Sequence, residues 1–140
     1  MTKVDFYVLQ GVASIGEREQ FACRLVNKAF KQGHSVYINT NDMASCEQID
    51  ELLWREPLAG FIPHSVIDSG AAAVNIGCGA DPGEHSHVLL NLADNVPDFF
   101  SRFQRVVEIV IFEPRIRELT RANYKFYKDR GLPLNSHNIA

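Results

Sequence analysis

Apolar positions change their spacing repeatedly along the chain, and each change marks an element. Residues 4–10 (VDFYVLQ) form a short run of β-branched and aromatic types, which predicts a strand. Phe21, Leu25, Val26, Ala29 and Phe30 then recur at helical spacing. Ser14 stands where it can cap that helix, with Glu17 as the return half of a capping box, and Gly33 is placed to end it. Residues 34–40 (HSVYINT) read as a second strand, close enough behind the helix for a βαβ crossover. Asn41 or Asp42 caps a second helix running through about Trp54, with Ile49, Leu52 and Leu53 on its buried side. Residues 55–69 lose all period and carry two prolines and a glycine, so a loop is predicted. Its Phe61, Ile62, Val66 and Ile67 imply that it folds back on the core or forms a contact surface.

Residues 73–77 and 87–92 are short strands separated by a Gly/Pro/Asp-rich turn, and Pro97 opens a short helix through Phe103. Residues 105–112 (RVVEIVIF) form a near-continuous apolar run suited to a strand covered on both faces. The order β-α-β-α-loop-β-β-α-β-α predicts a three-layer α/β fold with a mostly parallel sheet.

The last helix, residues 114–130, has the strongest charge pattern. Pro114 suits the first helical position, while Gly131 and Pro133 suit the stop. Ile116, Leu119, Ala122 and Phe126 fall on one side. Arg117, Arg121, Lys125 and Lys128 fall within an arc of roughly 80° nearly opposite, with Tyr124 at its border. Segment 113–130 holds six Arg/Lys and three Asp/Glu, a balance of +3 in a chain of net −3, so the remainder sums to −6. The i,i+4 series Arg117, Arg121, Lys125 is mutually unfavourable by a few tenths of a kcal/mol per pair. The face is either solvated or a site for an anion.

The 140 residues suffice for one core-forming domain, and 46% apolar against 22% charged residues fits a soluble globular chain. No apolar run reaches the length of a membrane span, and the first residues lack the zones of a signal peptide. The three cysteines, Cys23, Cys46 and Cys78, lack paired spacing and read as free thiols of a reducing compartment, so a cytoplasmic location is expected. The mildly acidic balance disfavours a broad nucleic-acid surface and leaves room for a local basic patch that would suit an acidic peptide.

Candidate chemistry is sparse. Gly77, Gly79 and Gly83 resemble a phosphate loop only faintly, since a strand is predicted to follow and no GK[ST] occurs. A small-molecule or nucleotide-binding enzyme using the Gly77–Gly83 turn is nevertheless the alternative reading. His85 and His87 near Cys78, Asp81 and Glu84 lack the ligand spacing of a structural zinc site. No GxSxG elbow is present, and Cys23 lies on the inner side of its helix. No catalytic residue, metal or cofactor is therefore expected. Trp54, with Pro57, Phe61 and Pro63 after it, is a core plug or an apolar contact patch, and composition favours the core.

Several segments together resemble the chi subunit family of bacterial DNA polymerase III holoenzyme: FYVL, LLWREPLAGFIPHSV (52–66), VLLNL (88–92), FFSRFQRVVEIV (99–110) and RANYKFYKDRGLPL (121–134). The resemblance runs nearly end to end, and the tryptophan-to-FxPH and RxxYKxYK blocks are its specific parts. It implies one Rossmann-like α/β domain over residues 1–140 without a working nucleotide site. The implied role is a non-catalytic accessory subunit of the clamp loader in DNA replication. On that resemblance Arg121, Tyr124 and Lys125, supported by Arg117, bind the acidic C-terminal tail of single-stranded-DNA-binding protein, and Lys128 is electrostatic background. Trp54 and Phe61 match positions that face the psi subunit or, in some bacteria, a helicase of the XPD/DinG-like type. The resemblance thereby shifts both residues from core to contact surface. Direct nucleic-acid and membrane contacts are not expected.

Overall fold

The computed structural model of the chain describes residues 2–55, 64–66, 73–79 and 81–139. Among them the elements are β1 (Lys3–Leu9), α1 (Ile15–Lys31), β2 (Val36–Asn39), α2 (Met43–Arg55), β3 (His64–Val66), β4 (Val74–Gly77), β5 (Val88–Asn91), a 3-10 turn (Phe100–Arg102), β6 (Arg105–Val110), α3 (Pro114–Asp129) and β7 (Leu134–Ile139). The strands form a seven-stranded sheet in the order β3-β4-β2-β5-β6-β1-β7. Every pairing is parallel.

The handedness of the crossovers assigns the layers. From β1 the chain moves toward β2 and then β3, placing α1 and α2 on one face; from β5 it moves the opposite way, placing the 3-10 turn and α3 on the other. Under α1 and α2, Ala22, Cys23, Val26, Cys46, Ile49 and Leu53 pack on Val36, Ile38, Ile76, Leu90 and Ile109. On the second face Phe6, Tyr37, Leu89, Phe103, Val106 and Tyr127 form an aromatic-rich cluster. β6 lies between β5 and β1, as its apolar run requires.

The caps follow the local sequence. Ser14 Oγ accepts from Glu17 N at 3.3 Å, and Gly33 adopts φ +86° just beyond α1. Asp42, rather than Asn41, caps α2, accepting from Ser45 N at 2.8 Å. Glu113 caps α3 by accepting from Ile116 N at 2.9 Å, with Pro114 opening the helix.

Four expectations change. The loop assigned to residues 55–69 contains β3, whose three residues pair with β4 at the sheet edge and are too few to show a period. The helix expected from Pro97 to Phe103 is only the 3-10 turn Phe100–Arg102. β7 was not foreseen: LNSHNI is polar because it pairs with β1 alone and exposes most of its side chains, so it lacks the alternation of a half-buried strand. Finally, α3 buries Ile116, Thr120, Asn123 and Tyr127, whereas Leu119 and Phe126 are half-buried and Ala122 is exposed. The helix is rotated from its apolar stripe toward a polar one, and the reason lies in the strand beneath it.

Candidate functional site: the cationic face of α3

Glu108 of β6 is completely buried beneath α3. Asn91 Nδ2 donates to its Oε2 at 2.9 Å, Tyr127 Oη donates to the same oxygen at 2.8 Å, and Asn123 Nδ2 donates to Oε1 at 3.3 Å. Asn39 Nδ2 extends the chain by donating to Asn91 Oδ1 at 3.0 Å. Burial pushes the Glu108 carboxyl above the ordinary carboxylate range, while the three donors and the buried Arg18 guanidinium pull against that shift. Burial and the neighbouring carboxylate likewise push the Tyr127 phenol upward. A buried carboxylate needs donors, so the helix turns Asn123 and Tyr127 inward and leaves Ala122 outside.

The opposite face consequently points into solvent. Arg117, Arg121, Lys125 and Lys128 are all exposed. Arg117 lies over the Phe112 ring at 5.0 Å, a cation–π contact that holds the guanidinium without neutralising it. Lys125 Nζ meets Asp129 Oδ2 at 2.9 Å, one turn along the helix and largely in solvent, where such pairs contribute about 0–1 kcal/mol. Among the described residues no acid pairs with Arg117 or Arg121. Arg115, at the helix start, is instead turned to Asp94. Tyr124 sits at the border of the arc, 36% exposed, its ring edge-on to Phe6 at 5.2 Å. The structure thus brings Arg117, Arg121, Tyr124 and Lys125 onto one surface: fork-shaped and point-like cations beside the flank of a braced ring.

Trp54 lies in the last turn of α2, in the layer on the opposite side of the sheet from α3, and is 62% exposed. The core role that composition favoured for it does not hold, because α2 buries Cys46, Ile49 and Leu53, and Trp54 falls off that stripe. Phe61 lies outside the described residues.

The glycine turn has a packing role. A Cβ on Gly77 would stand 1.9 Å from Tyr37 Oη, so the missing side chain makes room for that phenol. Gly79 N donates to Asn39 Oδ1 at 2.9 Å and Gly83 N to Asp81 Oδ1 at 2.8 Å, so both amides are engaged internally. His85 is buried with Nε2 2.6 Å from Asn75 Oδ1, and burial holds its pKa below the ordinary value. Among the described residues no group of three or more His, Cys, Asp or Glu is placed to hold a metal ion. Cys23 and Cys46 are buried, Cys78 is half-buried, and none of the three is in a disulfide. No helix among the described residues is long and apolar enough to cross a membrane.

The sequence reading missed Glu108, Asn91, Asn123 and Tyr127. The available signal was a lone glutamate inside RVVEIVIF, facing an Asn and a Tyr four residues apart on the next helix.

Residues 1–135 match the sequence profile of the family described as DNA polymerase III chi subunit, HolC. The chain is 42% identical over 140 residues to the DNA polymerase III subunit chi of Pseudomonas aeruginosa, covering 99% of this chain and 98% of that one. It is 30% identical over 146 residues to the subunit of the same name from Escherichia coli, covering 97% of each. Among solved structures it resembles T4 UvsW, with a TM-score of 0.69 at 8% identity over 99% of this chain and 41% of that one. It also resembles Mss116p DEAD-box helicase domain 2 bound to an RNA duplex, with a TM-score of 0.66 at 10% identity over 99% of this chain and 64% of that one. At such identities the two structural likenesses speak for the fold alone.

Proposed function

Since the chain belongs to the DNA polymerase III chi subunit family, we propose that it serves as a non-catalytic adaptor of the clamp-loader complex in DNA replication. In this reading the outer face of α3 binds the acidic C-terminal tail of single-stranded-DNA-binding protein. A separate surface around Trp54, which the family resemblance extends to Phe61, binds the psi subunit or an XPD/DinG-like helicase.

The observation that carries the tail site is the pair of exposed arginines, Arg117 and Arg121, with no acid partner among the described residues, beside Tyr124 and a weakly paired Lys125. A tail ending in an apolar residue offers several carboxylates and one hydrophobic group. Arg121 can take a carboxylate by a two-point fork, and Lys125 exchanges Asp129 for the incoming charge. The Tyr124 ring, backed by Phe6, offers an apolar flank for the terminal side chain. Exposed pairs of this kind support affinity on the micromolar scale, about −8 kcal/mol, falling as salt rises. The placement of Trp54 on the far layer of the sheet supports simultaneous use of both surfaces.

The test is a calorimetric titration with a short acidic peptide ending in Phe, for the native protein and for Arg121→Ala. Arg121→Ala should weaken the peptide by roughly tenfold and leave psi capture intact. Equal loss of both interactions, or of neither, would sink the two-surface reading.

A further inference from the structure

The amino ends of the central strands hold a second basic site that the adaptor reading does not use. A cleft of about 680 Å³ opens there, between the C-terminal half of α1 and the starts of β1, β2, β5 and β6. Its volume is that of a small-molecule site, within the roughly 300–1,000 Å³ usual for such pockets. Leu25, Ala29 and Val88, all half-buried, provide an apolar floor.

The rim is cationic. Lys3 and Arg105 are direct neighbours in the β1–β6 register, so two like charges stand side by side on adjacent strands, an arrangement that destabilises a sheet unless something offsets it. Lys28 joins them from α1, and His34 and His87 from the starts of β2 and β5. No Asp or Glu is among the lining residues. Asp5 is 5% exposed, pairs with Arg105 at 3.2 Å and also faces His137 at 3.1 Å. One buried carboxylate thus serves both the Arg105 guanidinium and the His137 ring, and Lys3 and Lys28 have no ion pair among the described residues. The helix C-terminus accounts for Lys28, whose charge complements the dipole there. It does not account for Lys3 set beside Arg105. His87 Nδ1 takes the Ser35 N–H at 3.4 Å, which puts the ring proton on Nε2 as a further donor.

We infer that this cleft binds a small organic phosphate of nucleoside-monophosphate size, its phosphate held among Lys3, Lys28 and Arg105 and its body resting on the apolar floor. A dianion with three acceptor oxygens matches three converging cations better than a single carboxylate does. The enclosure between helix and sheet, in a chain of net charge −3, favours a discrete ligand over a nucleic-acid strand. The site is at the opposite end of the strands from the Gly77–Gly83 turn, so it owes nothing to a phosphate-loop motif.

The experiment is calorimetry of the full chain with adenosine 5′-monophosphate, inorganic phosphate and adenosine. The variants are the double substitution Lys3→Ala with Lys28→Ala, and Arg121→Ala as a control on α3. Both replaced lysines are exposed, and unchanged melting temperatures verify that the double variant folds. The expected result is saturable binding of the monophosphate, weaker binding of inorganic phosphate and none of adenosine. The double variant should weaken the monophosphate by roughly tenfold or more, with no effect of Arg121→Ala. Absence of monophosphate binding at millimolar concentration would overturn the inference. So would binding insensitive to the double variant, or an oligothymidylate that binds at these lysines while the monophosphate does not.

Discussion

Replacing Tyr127 by Phe isolates the bond that orients α3. Tyr127 is fully buried, and its hydroxyl donates to the buried Glu108 carboxylate at 2.8 Å. The ring makes edge contacts with Phe6 at 6.0 Å and with Phe100 at 5.7 Å, all of which a phenylalanine keeps. The substitution therefore removes one buried hydrogen bond and leaves its acceptor short of a donor, a cost of about 1–3 kcal/mol, and creates little cavity. A loss of about 2 kcal/mol should lower the melting temperature by about 6 °C for a chain of this length. The effect should grow with pH. Burial raises Glu108 above its reference value of 4.5, so the folded state holds that proton more tightly than the unfolded one. Stability from this group is full below that reference value and is lost as pH rises through the raised folded value. The Tyr127 hydroxyl stabilises the ionised form, so its removal should cost more on the alkaline side of that raised value than on its acid side. Urea denaturation of the native protein, Tyr127→Phe, Glu108→Gln and the double variant gives the coupling directly. A cost below about 0.5 kcal/mol, a cost equal on both sides of that value, or zero coupling in the cycle would refute the role given to this bond. Peptide binding by folded Tyr127→Phe should match that of the native protein, because the cationic face is untouched.

Asp129→Ala should tighten binding of the acidic peptide by a few-fold, since an exposed pair worth about 0–1 kcal/mol no longer competes for Lys125; this is read by titration at low salt. Gly77→Ala should destabilise the fold by about 1–3 kcal/mol in denaturant titration, because the new Cβ would overlap Tyr37 Oη. Trp54→Ala should change stability by no more than about 0.5 kcal/mol while abolishing capture of psi in a pull-down, as fits an exposed contact residue.

The central strands and three long helices were legible because burial marks their sequence: a short run of β-branched and aromatic types for β1, a period of three to four for α1 and α2, and a continuous run for β6. The edges were not. β3 is three residues long and β7 is polar on both sides, so backbone pairing to one neighbour fixes them with little help from side-chain pattern. Trp54 was misplaced by composition because residue type says that tryptophan is usually covered, while the angular position on α2 says that this one is not. The residues Arg117, Arg121, Tyr124 and Lys125 were legible as a surface because charge is conspicuous on a helical wheel. The network beneath them was not, because hydrophobicity alone reads Thr120, Asn123 and Tyr127 as poorer core residues than Leu119, Ala122 and Phe126.

That error bears on how the surface is held. An apolar inner stripe would fix α3 only by shape, and a modest rotation would trade one set of methyl and ring contacts for another at small cost. Hydrogen bonds are directional and weaken steeply with misalignment. Asn123 and Tyr127 both converge on Glu108, which the sheet fixes through Asn91, so rotation of the helix would strip the buried carboxyl of two of its three donors. The carboxylate thus acts as a rotational pin. It sets Arg117, Arg121 and Lys125 outward and Tyr124 at the rim in one orientation, and the repulsion among those cations is borne by a helix that cannot roll away from it.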